Sequence, residues 1–325
     1  MPRMNMVQAI NKALADEMER DETVLVLGED VGRDGGVFRV TDGLLDRFGA
    51  QRVMDTPLAE SGIMGASIGM AIGGLKPVAE IQFSGFSYYI LHQLEGHAAR
   101  FRSRTQGNYH VPLVVRMPYG GGVRALEHHS ESKEIFYAAI PGIKTVIPSG
   151  PRVARAAMAA AIRDPDPVIF MEPKRSYRAF KEEVPEEPEV LELGRPMVIQ
   201  EGDDLTLISW GAMMRPTLEA ARRLSEQGLS VGVIDMVTIS PFDDEPILEA
   251  VRRSGRCVVV QEAAMSFGPA SEIIARINDG ALLYLEAPVS RVTGCDVTMP
   301  YFGREELFLP DADRVERACL KTLKF

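Results

Sequence analysis

The chain has 325 residues, of which 46% are hydrophobic and 25% charged, with a formal net charge of −10 and a pI near 5.2. This composition excludes a disordered or fibrous protein, and the negative charge argues against binding to a nucleic-acid backbone. The length predicts two domains of roughly 100–200 residues each.

The amino terminus, Met1–Met6, leads directly into an acidic amphipathic pattern and lacks the apolar core of a secretory signal. No apolar run approaches the ~20 residues that a membrane span requires. Three cysteines, Cys257, Cys295 and Cys319, lie far apart without metal-ligand spacing and are typical of a reducing compartment. We therefore expect a cytoplasmic protein without membrane or nucleic-acid partners, or alternatively a mature mitochondrial chain.

Helix and strand patterns alternate through the first 180 residues. The first helix is predicted from apolar residues at helical spacing, namely Val7, Ile10, Leu14 and Met18. Short apolar runs predict strands at Thr23–Leu27, Val78–Gln82, Leu113–Met117, Lys144–Ile147 and Val168–Glu172. Helical patterns over Ser87–Arg102 and Pro151–Ile162 separate some of them. The alternation predicts a parallel sheet covered by helices on both faces.

Residues 181–194 carry two prolines and six glutamates, which predicts an extended linker. Beyond this acidic segment, strands are predicted at Leu205–Trp210, Ser230–Met236, Cys257–Gln261 and Leu282–Glu286, with helices ending near Gln227, Arg253 and Asn278. The sequence thus predicts an α/β protein of two domains, residues 1–180 and 195–325, each a mostly parallel sheet with helices on both faces.

Four glycines, Gly62, Gly65, Gly69 and Gly73, are separated by three, four and four residues. A dinucleotide fingerprint needs its glycines in a turn directly after a strand. These glycines instead follow Pro57–Ser61 and line one face of a predicted helix, which favours close packing against another helix, within the chain or across a subunit interface.

Several segments together resemble one protein family. The segment Asp55–Ile63, with Leu27–Asp30 before it and Ala79–Phe83 after it, resembles the pyrimidine-binding domain of the transketolase-like family. The resemblance continues through Val115–Gly122, His128–Ser132, Pro141–Lys144 and Leu285–Val292. Their order and spacing are similar to β subunits of branched-chain 2-oxo acid and pyruvate dehydrogenases, from about residue 4 to the carboxy terminus. The resemblance implies thiamine diphosphate as cofactor and a transketolase C-terminal-like second domain.

Thiamine catalysis needs a carboxyl group hydrogen-bonded to N1′ of the pyrimidine, because this contact favours the imino tautomer that accepts the thiazolium proton. Glu60 is the candidate, since beside Leu58 and the glycine-rich helix its carboxyl loses solvation and is easier to keep protonated. The alternative is an ordinary acid at a helix N-terminus. By resemblance, Phe86 stacks on the aminopyrimidine.

The resemblance also implies further pocket residues. Leu58, Glu29 and Gln82 are expected to line the cofactor pocket, and Phe83 and Phe86 to contact the substrate. Related branched-chain enzymes often have tyrosine at the position of Phe86, so a phenolic hydrogen bond is missing here.

His128 and His129 follow a glycine-rich loop, where an imidazole can move protons near neutral pH. Counted back from Pro141–Gly142, His129 matches the family histidine near the reacting centre. There it would stabilise the carboxylate of the 2-oxo acid or donate a proton to the lipoyl sulfur. We therefore favour His129 over His128; the alternative is a solvated surface histidine.

The chain lacks the Gly-Asp-Gly stretch through which this family binds the magnesium ion of the cofactor diphosphate. Asn278–Gly280 is the segment most similar to this stretch, and it is interpreted as a helix C-cap. The resemblance therefore assigns Mg²⁺ and the diphosphate to an α subunit in an α2β2 heterotetramer. It also implies a potassium site, for which a proline-aspartate turn is the alternative, at Leu113, Ala161, Ile162, Asp164 and Asp166.

The sequence thus predicts the β subunit of a thiamine-diphosphate-dependent 2-oxo acid dehydrogenase. This enzyme would decarboxylate a 2-oxo acid and acylate the lipoyl group of a dihydrolipoyl acyltransferase, which it would contact through the lipoyl and subunit-binding domains. A branched-chain substrate such as 2-oxoisovalerate is favoured. The alternatives are pyruvate, then acetoin, or a non-catalytic scaffold.

Overall fold

The computed structural model describes residues 1–300 and 302–325, apart from the side chain of Phe302. Its strands are β1 (Arg3–Met4), β2 (Val24–Gly28), β3 (Val53–Asp55), β4 (Lys76–Glu80), β5 (Val114–Tyr119), β6 (Lys144–Val146), β7 (Val168–Pro173), β8 (Glu182–Glu183), β9 (Met197–Gln200), β10 (Leu205–Ser209), β11 (Val231–Asp235), β12 (Thr238–Ser240), β13 (Cys257–Ala264) and β14 (Ser290–Gly294). Its α-helices are α1 (Met6–Arg20), α2 (Leu44–Phe48), α3 (Glu60–Ile72), α4 (Tyr88–Gln93), α5 (Ala99–Arg104), α6 (Glu134–Ala138), α7 (Pro151–Arg163), α8 (Met214–Glu226), α9 (Glu245–Ser254), α10 (Ala270–Ala281), α11 (Glu305–Phe308) and α12 (Ala312–Leu323).

The first sheet has seven strands in the order β12-β6-β7-β5-β4-β2-β3. All neighbouring pairs are parallel except β12 against β6. In β2, Val24 and Val26 pack with residues of α1 and α7, whereas Leu25 and Leu27 pack with residues of α3 and α4. Successive side chains point to opposite faces of a strand, so a sheet covered on both sides needs continuous apolar runs. The predicted parallel sheet between two layers of helices is confirmed.

The second sheet has five strands in the order β14-β13-β10-β11-β9, and only β9 is antiparallel to its neighbour. Leu205 and Leu207 pack towards α8 and α12 on one face. Ile208 belongs to the apolar cluster on the other face, which includes α9 and α10 and continues into the first sheet through Met117 and Trp210. The two domains therefore share buried apolar surface, which is favourable by roughly 25 cal/mol for each Å² removed from water.

The acidic segment 181–194 lies along the first domain. Its strand β8 pairs with β1, and the side chain of Arg152 donates to Glu189 over 2.6 and 2.8 Å. Arg155, on the same helix α7, donates to the carbonyls of Pro185 and Glu186. These contacts offset the repulsion among the glutamates. Strand β12 lies beyond this segment and yet completes the first sheet, so the second half of the chain contributes to both sheets.

Two local predictions in the second half are wrong. Leu282–Glu286 is not a strand: Leu282–Tyr284 forms a 3-10 turn in which Leu283 is 94% exposed, and the strand lies later, at β14. A short apolar segment can lie on the surface of a chain as well as in its core, and its composition alone does not tell which. Asn278–Gly280 is not a C-cap, because α10 continues to Ala281. A Cβ at Gly280 would collide with Leu248, so this glycine permits close packing of α9 and α10.

The helix predicted from Val7 to Met18, the one predicted over Pro151–Ile162 and those predicted to end near Gln227 and Arg253 agree with the structure. Helices α2, α6, α11 and α12 had no prediction. A π-helical turn, Leu94–Ala98, joins α4 to α5, so the helix predicted over Ser87–Arg102 is confirmed as one continuous helical stretch. No helix in the described part of the chain is both long and apolar enough to cross a membrane.

Candidate active site

The carboxyl ends of β2, β3 and β4 meet at one edge of the first sheet. Glu29 follows β2, Glu60 follows β3 after a short loop, and Gln82 follows β4. Open α/β sheets bind ligands in the crevice at this edge, because the loops after parallel strands converge there. The sheet order therefore places three of the predicted cofactor residues on neighbouring loops.

A cavity of about 500 Å³ opens beside these loops. Its lining includes three residues predicted for the cofactor, Leu58, Glu60 and Phe86, and the other residues are Ala59, Ser61, Gly85, Tyr88, Tyr89 and His128. The Ser61 hydroxyl donates to the carbonyl of Tyr89 over 2.6 Å and so joins the beginning of α3 to α4. The cavity is thus formed by the N-terminal ends of α3 and α4, together with the segment that contains His128.

Glu60 is the first residue of α3 and is half-buried. Asp55, at the end of β3, accepts hydrogen bonds from the backbone of Gly32 and Arg33 over 2.5 and 3.1 Å, and Thr56 N–H donates to the carbonyl of Gly28 over 3.0 Å. These bonds tie the loop that carries Glu29 to the loop that leads to Glu60.

The pKa of Glu29 depends on its burial and on the acids near it. Burial raises the pKa of Glu29, and the negative charges of Asp30 and Glu60 raise it further. The raised pKa favours the protonated form of Glu29, which can donate a hydrogen bond at this edge of the sheet.

Aromatic rings form one wall of the site. The rings of Phe83 and Phe86 meet edge to face at 5.8 Å, and the His129 ring lies 4.2 Å from Phe83 and 5.3 Å from Phe86. Gln82 is half-buried, and within the described residues its side chain makes no hydrogen bond. The rings of Phe83, Phe86 and His129 are therefore neighbours, whereas Gln82 precedes Phe83 in the chain and does not line the cavity.

The two histidines differ in orientation. His128 lines the cavity and has a positive φ of 64°, and a Cβ at Gly85 would collide with its backbone. His129 Nδ1 lies 2.7 Å from the carbonyl oxygen of Glu127. Because a carbonyl can only accept, Nδ1 carries a proton and donates it to this oxygen, and Nε2 has no hydrogen-bond partner among the described residues. His129 is therefore the oriented imidazole, whereas His128 is the one on the cavity wall.

Sequence reasoning missed Tyr88 and Tyr89, which line the cavity and are 43% and 64% exposed. The Tyr88 hydroxyl donates to Glu131 over 3.2 Å, and Lys133 Nζ lies 5.3 Å above the Tyr88 ring. Two tyrosines directly after the loop at the end of β4 were the available signal, because exposed aromatic residues beside a cleft favour binding.

The residues predicted for potassium lie in one region. Asp164 pairs with Lys144 over 2.7 and 2.8 Å, and Asp166 with Arg102 over 2.5 Å. The carbonyls of Leu113 and Ala161 accept from backbone amides over 2.9 and 3.3 Å, and Ile162 is buried. Both carboxylates already have cationic partners, so a potassium ion here would depend mainly on carbonyl oxygens. The site stays a prediction.

A magnesium ion needs a cluster of oxygen ligands. Among the described residues, no group of three or more histidine, cysteine, aspartate or glutamate side chains is arranged to hold a metal ion. At the cavity, Phe86 offers a ring for stacking, Leu58 an apolar side chain and Glu60 a carboxyl group, and these are the kinds of contact that an aminopyrimidine can make.

Comparisons with known proteins cover the whole chain. A family model described as transketolase, pyrimidine binding domain, matches residues 2–179, and one described as transketolase, C-terminal domain, matches residues 194–315. The chain is 47% identical to the pyruvate dehydrogenase E1 component subunit beta of Acholeplasma laidlawii over 324 residues, 100% of this chain and 99% of that protein. It is also 47% identical to the protein of that name from Bacillus subtilis strain 168, over 325 residues and 100% of both chains.

A solved structure described as split gene transketolase, inactive beta4 tetramer, has the same fold, with a TM-score of 0.81 at 23% identity over 99% of each chain.

Proposed function

Because this chain belongs to the transketolase-like family of 2-oxo acid dehydrogenase E1 β subunits, we propose that it supplies the pyrimidine half of a thiamine diphosphate site in a pyruvate dehydrogenase. The observation that carries the proposal is the convergence of Glu60 and Phe86 on one cavity at the carboxyl edge of the first sheet. The reaction is oxidative decarboxylation of pyruvate with acetylation of a lipoyl domain.

The full-length relatives favour pyruvate over the branched-chain substrate expected from the sequence, since both are named pyruvate dehydrogenase. Phe86 supports the same choice, because it lacks the hydroxyl often found at this position in branched-chain enzymes. Neither observation favours acetoin.

The residues of this chain have distinct roles in the proposed reaction. Thiamine diphosphate, when bound, supplies the carbon nucleophile and electron sink that decarboxylation needs. Glu60 shares a proton with the pyrimidine ring, and Glu29, whose pKa is raised by burial and by the charges of Asp30 and Glu60, is a second acid at the same edge of the sheet. Leu58 and Phe86 exclude water from the ring. His129, with Nε2 free, holds a proton beside the substrate or the lipoyl sulfur.

An α subunit would complete the site. The cavity is open in this chain, and Leu58 and Tyr89 on its rim are largely exposed. The glycine face of α3 also has no neighbour here, because a Cβ on Gly65 or Gly69 would meet no described atom within 4 Å. These surfaces support a heterotetramer in which the α subunit brings Mg²⁺ and binds the diphosphate, and in which the assembly works with a dihydrolipoyl acyltransferase.

The isolated chain is expected to bind thiamine diphosphate weakly, more than about 100-fold more weakly than the complex with the α subunit. The pyrimidine contacts alone cannot compensate for leaving the diphosphate without its metal. Isothermal titration calorimetry on the β chain and on the αβ complex, both with Mg²⁺, measures the difference. Micromolar affinity for the isolated chain would show that the half-site argument is wrong.

The reconstituted αβ complex is expected to prefer pyruvate. We expect kcat/KM for pyruvate to exceed that for 2-oxoisovalerate and 2-oxoisocaproate by at least about 10-fold, since each added methylene in a fitted pocket changes binding by about 1–3 kcal/mol. Turnover is measured with a lipoyl domain as acceptor, and each subunit alone serves as the control. A higher kcat/KM for 2-oxoisovalerate would restore the branched-chain assignment, and no turnover of any 2-oxo acid would contradict the proposed function.

A further inference from the structure

The segment between β5 and α6, residues 120–132, carries both histidines and is called here the histidine loop. It belongs to the first domain, but two carboxylates of the second domain bind it. Glu262, on β13, accepts from Gly121 N–H over 2.6 Å and from the Ser132 hydroxyl over 3.0 Å. A Cβ at Gly120 would lie 2.6 Å from the same carboxylate oxygen, so the loop passes close to Glu262.

Glu305, the first residue of α11, binds the middle of the histidine loop. Its Oε2 accepts from the backbone N–H of Gly122 and Arg124 over 3.1 and 3.0 Å, and its Oε1 lies 3.4 Å from the Ser130 hydroxyl. Glu262 and Glu305 are only 1% and 2% exposed. Hydrogen bonds from backbone amides to buried carboxylates are stronger than those between neutral groups, so these contacts hold the loop firmly.

One buried cation faces this arrangement. Lys174 follows β7, is 4% exposed, and its Nζ has no hydrogen-bond partner among the described residues. The ammonium lies 5.7 Å above the Phe83 ring, which itself contacts His129. Burial lowers the pKa of Lys174 to about 8, while Glu262, Glu305 and Glu131 oppose the shift. Lys133 also pairs with Glu131 over 3.5 Å, so Lys174 compensates part of the charge of the two buried carboxylates, Glu262 and Glu305.

We propose that Glu262 and Glu305 are positioning residues, through which the second domain fixes the histidine loop against Phe83 and Phe86 and thereby orients His129. The assignment rests on the proposed function, because it gives His129 a role in acyl transfer. The five hydrogen bonds join residues more than 120 positions apart along the chain. The second domain would thus act on the chemistry without contacting the cofactor.

Hydrogen–deuterium exchange of the αβ complex tests the loop directly and does not depend on turnover. In Glu262→Ala and Glu305→Ala, amides of residues 120–132 are expected to exchange roughly 10- to 100-fold faster, since the substitutions remove two and three hydrogen bonds to the loop respectively. The Gln variants keep an accepting oxygen and should retain much of the protection. Glu272→Gln, on α10 and paired with Arg276, is the matched control and should change nothing. Unchanged exchange in the Ala variants would overturn the proposal.

Acyl transfer to a lipoyl domain tests whether the two glutamates act through the histidine. Glu262→Ala should reduce acyl transfer at least about 10-fold, with a smaller loss of decarboxylation measured with an artificial electron acceptor. Because the effect passes through His129, Glu262→Ala combined with His129→Ala should lose no more than His129→Ala alone. Fully additive losses would overturn the proposal. If the wild-type complex turned over no 2-oxo acid, the proposed function would fail while the exchange result still decided whether the two glutamates hold the loop.

Discussion

Replacing Glu60 by glutamine is expected to slow exchange of the thiazolium C2 proton by about 10²–10⁴-fold in the reconstituted complex. The amide has the same shape and reach, but it cannot share a proton with the pyrimidine nitrogen. Glu60 stands at the first position of α3, beside a second acid, Glu29, whose pKa is raised by burial and by neighbouring charge. The substitution removes one member of this pair and leaves the cavity walls intact.

To measure proton exchange at C2, the complex is mixed with deuterated buffer and the reaction is quenched after known times. The remaining C2 proton signal of the thiazolium ring is then observed by NMR. Glu22→Gln, at an exposed position after α1, is the matched control and should behave as wild type. A wild-type exchange rate in Glu60→Gln would show that Glu60 is only a helix N-terminal acid. Its loss would then affect stability alone, by about 0.3–1 kcal/mol.

Replacing His129 by alanine is expected to lower acyl transfer to a free lipoyl domain by about 10²–10⁴-fold while measurable decarboxylation with an artificial electron acceptor remains. The bond from Nδ1 to the Glu127 carbonyl orients this ring and leaves Nε2 available. In the proposed function, Glu60 acts on the cofactor and is needed for every turnover, whereas His129 acts on later steps. The two variants should therefore differ in which assay they lose.

His128→Ala is the natural comparison, because His128 lines the cavity but has no comparable orienting bond within the described residues. We expect a smaller loss from this variant in both assays. Equal losses for His129→Ala in both assays would place His129 in substrate binding or an earlier step. Wild-type rates in both would make it a surface histidine, and a larger loss from His128→Ala would transfer the catalytic role to that residue.

Local patterns in the sequence determined the architecture of the first sheet. Runs such as Val24–Gly28 and residues 168–171 are apolar on both faces, as is typical of a parallel sheet between two layers of helices. The same reasoning failed at Leu282–Glu286. A short apolar run does not distinguish a buried strand from a turn whose apolar side chains are exposed, as in this chain. Glu60 and Phe86 were identified by the resemblance of their motifs to those of the family, since hydrophobic periodicity carries no information about catalytic roles.

The tertiary structure decided what joins these elements. Strand β12 completes a sheet that begins more than 200 residues earlier in the chain. Glu262 and Glu305 bind a loop of the other domain. Of the two histidines in that loop, His128 and not His129 lines the cavity. Such contacts depend on how the two domains pack against each other. Contacts between residues far apart in the sequence produce no periodic pattern from which they could be predicted. The sequence by itself therefore predicted most of the elements and the family, and it proposed Glu60 as the acid of a cofactor site, whereas the orientation of the histidine loop and its buried anchors depended on packing between the two domains.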